Sequence, residues 1–308
     1  MDIAVIGSNM VDLITYITKM PKTGETLEAP DFEIGCGGKG ANQAVAAAKL
    51  GAGVMMIGKV GEDMFAENTV NNLRHFGVDT RYVETVAGVS SGVAPIFVDR
   101  DSQNRILIIK GANNHLGAAD IDNAADRLKS CKLIILQLEI PLATVYHAID
   151  FARKHQVPVI LNPAPASREL DIGYACQCDF FMPNETELEI LTGMPVDSEE
   201  NILAAGRSLL AKGLKNLIIT MGQRGSVWLS GADIHRVEPV KVDAVDTSGA
   251  GDAYIGCFAH YYVNGGDVKQ AMEYASAYAA YSVKGKGTQR SYPDAAQFHD
   301  FLATLHQE

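Results

Sequence analysis

The chain of 308 residues has no cysteine pair in CxxC spacing. Its five cysteines, Cys36, Cys131, Cys176, Cys178 and Cys257, are odd in number. Only "CQC" brings two of them close, with no histidine beside it, which argues against structural zinc. Reduced, mostly buried thiols in a cytoplasmic protein are the expectation. No uncharged apolar run reaches 18 residues, so no membrane span is expected. The N-terminus has no basic stretch followed by an apolar core, so no signal peptide is expected either. Positive charge is scarce: 26 Lys and Arg face 37 Asp and Glu, a net charge of -11. That balance argues against nucleic acid as the main partner. It leaves room for nucleotides, whose phosphates can be held by backbone N–H groups and one or two cations. No proline- or serine-rich linker and no internal repeat divides the chain. A single domain over residues 1–308 is expected, within the size range of one large α/β unit.

What is present is an alternation. With 47% hydrophobic and 20% charged residues, the composition is ordinary for a folded domain. "IAVIG" opens the chain as a strand, and "ANQAVAAAKLGA" is alanine-rich and helical. "VMMIGKV" reads as a buried strand, and "MFAENTVNNLRHFG" as an amphipathic helix with a glycine stop. Then come "KLIILQL", "PVILNP", "DFFMPN" and "NLIITMG", short apolar runs with polar or glycine ends and helical patterns between them. This predicts a mainly parallel sheet with helices on both faces. Residues 12–35 and 90–110 instead alternate polar and apolar residues around turns. They predict antiparallel strands forming a small sheet that covers the strand ends as a lid. In such sheets ligands bind beyond the carboxyl ends of the strands. Polar signals sit there repeatedly: "GSNMVD", "QLE", "NPAPA", "PNETE" and "TMGQRG".

Two glycine-rich stretches resemble nucleotide motifs only superficially. "GCGGKG" (35–40) fits GxGxxG, but the charged, proline-containing "EAPDFEI" before it is no buried strand. "GVMMIGKV" (53–60) lacks the Ser/Thr of a P-loop and has apolar loop positions. "GGKGANQAVAAA" is better read as a loop entering a helix, its glycines permitting close approach of a ligand and Lys39 and Asn42 offering donors. "VDTSGAGDAY" (245–254) sets Asp246 and Asp252 six apart with five small residues between them, and an apolar helical run follows. A helix beginning near Ser248 or Gly249 leaves its first N–H groups unpaired at the positive end of its dipole. Small residues leave those groups open to a phosphate. Asp252, on the first turn, would then lie where it can take a proton from an attacking hydroxyl. Positioning, anion stabilisation and one base are what phosphoryl transfer from a nucleotide requires.

With these residues in place, the chain resembles the ribokinase-like (PfkB-type) carbohydrate kinases. "GGKGANQA" and "DTSGAGDAY" are similar to the two signature motifs of that family, and "NPAPA", "PNETE" and "TMGQRG" follow in family order over nearly the full chain. Within the family the resemblance is to ribokinases and, more narrowly, to bacterial kinases of 2-deoxyribose. It implies a three-layer α/β/α sandwich with a β-sheet lid, and transfer of the ATP γ-phosphate to the 5-hydroxyl of a pentose. It implies Asp252 as general base and Gly249, Ala250 and Gly251 as the anion hole. Asp12, Gly38, Lys39, Gly40, Asn42 and Glu139 would line the sugar site. Asn184 would help organise the magnesium–phosphate region, and Thr220, Gly222, Gly225, Gly251 and Ser276 would border the nucleotide. A potassium ion is implied beside the anion hole, with ligand positions Asp246, Ser248, Val283, Lys286, Gly287 and Ser291. The last four fall in and beside a loop one residue shorter than the usual ribokinase loop. Homodimers joined through the lid sheets are also implied.

One departure bears on the substrate. Ribokinases usually read "GSINAD" after the first strand, and this chain reads "GSNMVD". Asp12 is kept, but Met10 stands where the family has an asparagine that contacts a ribose hydroxyl. A thioether packs against carbon and offers no useful hydrogen bond to a hydroxyl. Asn9 is no substitute, because a shift of one residue in extended chain turns the side chain to the other face. 2-Deoxy-D-ribose is therefore the expected substrate and D-ribose the alternative. A hexose or nucleoside kinase of the same fold, or a non-catalytic sugar-binding protein, would be lined differently or would not need Asp252.

Overall fold

The computed structural model describes residues 1–100 and 104–305; part of the expected 90–110 strand segment, residues 101–103, lies outside them. The strands among the described residues are β1 (Ile3–Ile6), β2 (Met10–Tyr16), β3 (Asp31–Gly37), β4 (Val54–Gly61), β5 (Asp79–Val86), β6 (Gly92–Val98), β7 (Asn104–Ile106), β8 (Leu133–Leu136), β9 (Val159–Leu161), β10 (Phe180–Phe181), β11 (Leu217–Thr220), β12 (Ser226–Ser230) and β13 (Asp233–Val237). The helices are α1 (Lys39–Lys49), α2 (Met64–His75), α3 (Ala118–Asn123), α4 (Ala125–Leu128), α5 (Leu142–His155), α6 (Ile172–Ala175), α7 (Glu185–Thr192), α8 (Glu199–Leu210), α9 (Ala250–Gly265), α10 (Val268–Ser282) and α11 (Ala295–Leu305).

Nine strands form the main sheet in the order β13-β12-β11-β10-β9-β8-β1-β4-β5. All neighbours from β5 to β11 pair in parallel, and β12 and β13 extend the edge antiparallel. The two-residue period of an extended chain sends alternate side chains to opposite layers. Ala4 and Ile6 of β1 join a core with α5 and α8, whereas Ile3 and Val5 join a second core with α1, α9, α10 and α11. A strand buried on both faces has no room for the polar alternation of a half-exposed one, which is why these runs read as continuously apolar. The result is a three-layer α/β/α sandwich.

The small sheet has the order β3-β2-β6-β7. β2 pairs antiparallel with β3, and β6 with β7, as expected, but β2 and β6 run parallel. The expectation of a purely antiparallel small sheet is corrected here. β1 and β5 run in the same direction in the main sheet, and each leads through a short turn into β2 or β6. Two chains leaving the same end of the sheet in the same direction pair in parallel.

α1 and α9 cross closely. A Cβ at Gly256 of α9 would lie 2.5 Å from the Ala46 Cβ and 2.7 Å from the Gln43 carbonyl oxygen of α1. The alanine-rich face of α1 and the glycine of α9 permit this approach, which sets the start of one helix beside that of the other.

Candidate active site

α9 starts as the sequence predicts. Gly249 is its N-cap with φ of 74°, a left-handed conformation that glycine adopts without strain. A Cβ there would also meet the Tyr292 hydroxyl at 2.6 Å, and that hydroxyl donates to the Gly249 carbonyl at 2.9 Å. Gly251 differs. Its φ is not positive, and a Cβ on it would meet nothing within 4 Å. Nothing in the fold requires a glycine at 251, so the bare position is open space at a helix start, the form of an anion site. Asp252 follows, buried, with Oδ2 accepting from the Asn42 amide at 2.9 Å and Oδ1 from the Gln43 amide at 2.8 Å.

The start of α1 lies opposite. Gly38 is its N-cap at φ 89°. Side chains at Gly37 and Gly40 would collide with the Asp12 carboxylate at 2.2 Å and the Ser8 nitrogen at 2.6 Å. The glycines thus let the chain pass close to the turn between β1 and β2. Glu139, just beyond β8, accepts on Oε2 from the Ser8 hydroxyl at 2.5 Å and the Lys39 N–H at 2.9 Å. Asp12, Lys39, Glu139 and Asp252 share one electrostatic neighbourhood. Burial, then the charges of Glu139 and Asp252, push the Asp12 carboxyl up to about 7. Burial also raises Glu139, opposed by Lys39 and the Ser8 and Lys39 hydrogen bonds. For Lys39 burial acts to lower the pKa, but Asp252, Glu139 and Glu187 together outweigh it and the ammonium is held above its usual value. Perturbed carboxyls around one lysine at the strand ends are suited to gripping hydroxyls.

Met10 is only 1% exposed at the head of β2. A Cβ at Gly92 would lie 3.0 Å from its Cγ. Asn9 turns the other way, as expected, donating to Thr69 Oγ1 at 3.1 Å. Asn113 fixes this turn by accepting from the Asn9 N–H and donating to the Asn9 carbonyl, both at 3.0 Å.

At the β11 end, Asn184 and Thr220 form a parallel bridge. The Asn184 side chain caps α7 by accepting from the Glu187 N–H at 2.8 Å, and Glu187 returns a carboxylate to the Asn184 N–H at 2.8 Å. Gly222 and Gly225 both adopt positive φ, and a Cβ at 225 would strike the Val237 carbonyl. Ser276 of α10 donates to the Glu238 carbonyl at 3.5 Å.

Residues 245–248 knot to the loop after α10. The Asp246 carboxylate accepts from the Ser248 and Gly287 N–H groups, each at 2.9 Å, while the Val283 carbonyl accepts from Val245 and Asp246. Ser291 donates to the Thr288 carbonyl at 2.9 Å. The Lys286 ammonium points away, 5.6 Å from the Tyr16 ring centroid. Among the described residues no group of three or more His, Cys, Asp or Glu side chains is disposed to hold a metal ion. One carboxylate among hydroxyls and carbonyls is a hard oxygen donor set.

The structure therefore brings together Asp12, Lys39, Asn42, Glu139 and Asp252, and separately Asp246, Ser248, Val283 and Gly287. Sequence reasoning passed over Ser8, Gln43, Asn113, Gln137, Asn162, Glu187 and Gln289. Ser8, Gln137, Asn162 and Glu187 lie inside the strand-end stretches "GSNMVD", "QLE", "NPAPA" and "PNETE", and Gln43 stands out as a glutamine inside an otherwise small and apolar helix, "ANQAVAAA". A surface depression of about 560 Å³ lined by Val60, Glu62, Asp63, Glu67, Arg74 and Val83 shares no residue with this cluster.

A parallel α/β/α sandwich with a small sheet beside its strand ends, and a bare helix start next to a buried carboxylate, has the architecture of a sugar kinase. The chain belongs to the pfkB family of carbohydrate kinases, whose sequence pattern matches residues 1–295. It is 65% identical over 303 residues to the deoxyribokinase of Salmonella typhi, covering 98% of this chain and 99% of that protein. It is 39% identical to the ribokinase of Mus musculus, covering 94% and 91% of the two chains. The solved ribokinase of Arabidopsis thaliana, complexed with ribose and ATP, superposes with a TM-score of 0.90 at 31% identity, covering 98% of each chain.

Proposed function

We propose that this chain transfers the γ-phosphate of ATP to the 5-hydroxyl of 2-deoxy-D-ribose. The observation that carries the choice of sugar is Met10. It is buried two residues from Asp12 on the same face of β2, so a thioether stands beside the acid cluster where a polar partner for a hydroxyl would otherwise be. The 65% identity to a deoxyribokinase supports the same reading.

In this reading Asp12, Lys39, Asn42 and Glu139, with the backbone at Gly38 and Gly40, hold the sugar. Asp252 takes the proton of the attacking hydroxyl, and the N–H groups of Gly249, Ala250 and Gly251 stabilise the charge that develops on the transferring phosphoryl group. Thr220, Gly222, Gly225 and Ser276 border the nucleotide. Asn184 and Glu187 would hold Mg2+ with the phosphates, the Glu187 carboxyl facing the charges of Lys39 and Asp252. Bound magnesium supplies neutralisation of phosphate charge. Asp246, Ser248, Val283, Lys286, Gly287 and Ser291 would hold a potassium ion, which would stiffen the loop preceding α9; the hard oxygen donors there support this reading. The five free thiols support a cytoplasmic location. The outer face of the small sheet supports a homodimer through the lid.

The test is kcat/KM for 2-deoxy-D-ribose and D-ribose in a coupled ATPase assay, with wild type and Met10→Asn. An unpaired buried hydroxyl costs about 1–3 kcal/mol, or roughly 5- to 150-fold in kcat/KM. Wild type should prefer deoxyribose, and Met10→Asn should move the ratio toward ribose. A wild type that prefers ribose makes this a ribokinase.

A further inference from the structure

We infer that two chains of side-chain amides set the orientation of the Asp252 carboxylate, and that Gln137 and Gln289, neither of which touches it, are positioning residues of the reaction. The inference rests on the reading of Asp252 as the base.

In the first chain, Gln43 donates from Nε2 to Asp252 Oδ1 at 2.8 Å and to Asn162 Oδ1 at 3.2 Å. Its own oxygen accepts from Gln137 Nε2 at 2.6 Å. In the second, Asn42 Nδ2 donates to Asp252 Oδ2 at 2.9 Å, and its oxygen accepts from Gln289 Nε2 at 2.9 Å. Gln289 accepts in turn from Asn72 Nδ2 of α2 at 2.6 Å. Asp252, Asn42, Gln43, Asn162, Gln137 and Gln289 are all buried.

The sense of each chain is forced from its end. An ionised carboxylate only accepts, so each inner amide must turn its NH2 to Asp252. The inner oxygens then face outward and need donors, which Gln137 and Gln289 supply. The first chain leaves a residue of this logic: Gln137 Oε1 is buried and has no hydrogen-bond partner. Reversing Gln137 alone would set its oxygen against that of Gln43. Reversing both would set an amide oxygen against the carboxylate. Gln137 thus keeps its NH2 toward Gln43 while its own oxygen goes without a partner. Buried polar networks of this kind hold one geometry when the inner members are satisfied, and a misplacement of a base by about 1 Å from its productive position is costly in rate.

The experiment uses Gln137→Met and Gln289→Met in the full chain, each keeping side-chain volume while removing the amide. The assay is ATP-dependent phosphorylation of 2-deoxy-D-ribose and D-ribose, each variant made also on an Asp252→Asn background. The expected result is a fall in kcat on the order of tenfold, with the ATP KM within about twofold in both variants and the sugar KM within about twofold in Gln137→Met, whose chain runs through no residue that holds the sugar. Because the amides act through Asp252, neither substitution should lower the residual rate of Asp252→Asn further. A kcat within twofold of wild type in both variants, or a loss as large on the Asp252→Asn background, overturns the inference. The two outer residues lie on different segments, so Gln289→Met remains informative if Gln137→Met does not fold. An Asp252→Asn protein that keeps most of its turnover instead overturns the base assignment, whatever the amides do.

Discussion

Asp12 lies buried at the junction of the two sheets, and burial followed by the charges of Glu139 and Asp252 raises its carboxyl from 3.8 to about 7. A difference of that size corresponds to about 4 kcal/mol. The folded-state pKa lies above the unfolded one, so the associated stability is fully present below about pH 4 and is lost as pH rises through 7. Asp12→Asn removes the charge without changing the shape. The variant should be more stable than wild type at pH 8, by up to about 4 kcal/mol, and the difference should vanish toward pH 4. Denaturant unfolding at the two pH values checks this, and an equal difference at both would count against it. The same substitution should raise the sugar KM, because a carboxylate held in an unfavourable place is kept for what it binds.

At the scale of the element, the first turn of α9 separates two kinds of glycine. Gly249 is needed by its own backbone and by the Tyr292 hydroxyl beside it. Gly251 is needed by neither. Gly251→Ala should therefore stabilise the helix by about 0.5–1 kcal/mol, while lowering kcat at least tenfold if the space belongs to the transferring phosphate. Calorimetry and turnover on the same preparation read both signs, and a variant with unchanged kcat would remove Gly251 from the anion hole. The loop after α10 is tied to the same turn through Asp246. Activity in potassium buffer should exceed that in carefully potassium-free sodium buffer, because a bound ion would fix the loop that presents the anion-hole N–H groups. Equal rates would leave Asp246 as a loop cap.

For the whole molecule, the small sheet poses the question of what covers it. Its register aligns Asp12 with Gly35 and Leu13 with Ile34, so Phe32 and Ile34 point to the face opposite Asp12. Phe32 is 52% exposed and Ile34 44%. Leu107, paired to Pro95 of the Ile34 row, is 61% exposed. An apolar stripe of this kind on a sheet suits an association surface, and the proposed homodimer would use it. Sedimentation should find a dimer, and Ile34→Asp combined with Leu107→Asp should dissociate it. A wild-type monomer at micromolar concentration would show that the stripe has another role.

The sequence by itself determined the strands that carry continuous apolar runs, the start of α9 at Gly249, and Asp252 on its first turn, because these depend on periodicity and on neighbours within a few residues. It also determined that Met10 and Asn9 face opposite ways. Only the tertiary structure decided that β2 and β6 run parallel, since that follows from β1 and β5 leaving the same end of the main sheet in the same direction. Only it brought Gln137 to Gln43 and Gln43 to Asp252, across 94 and 209 residues of chain. A neutral amide carries no charge pattern and no period that would announce such a partner. Its role exists only once the close crossing at Gly256 sets α1 against α9.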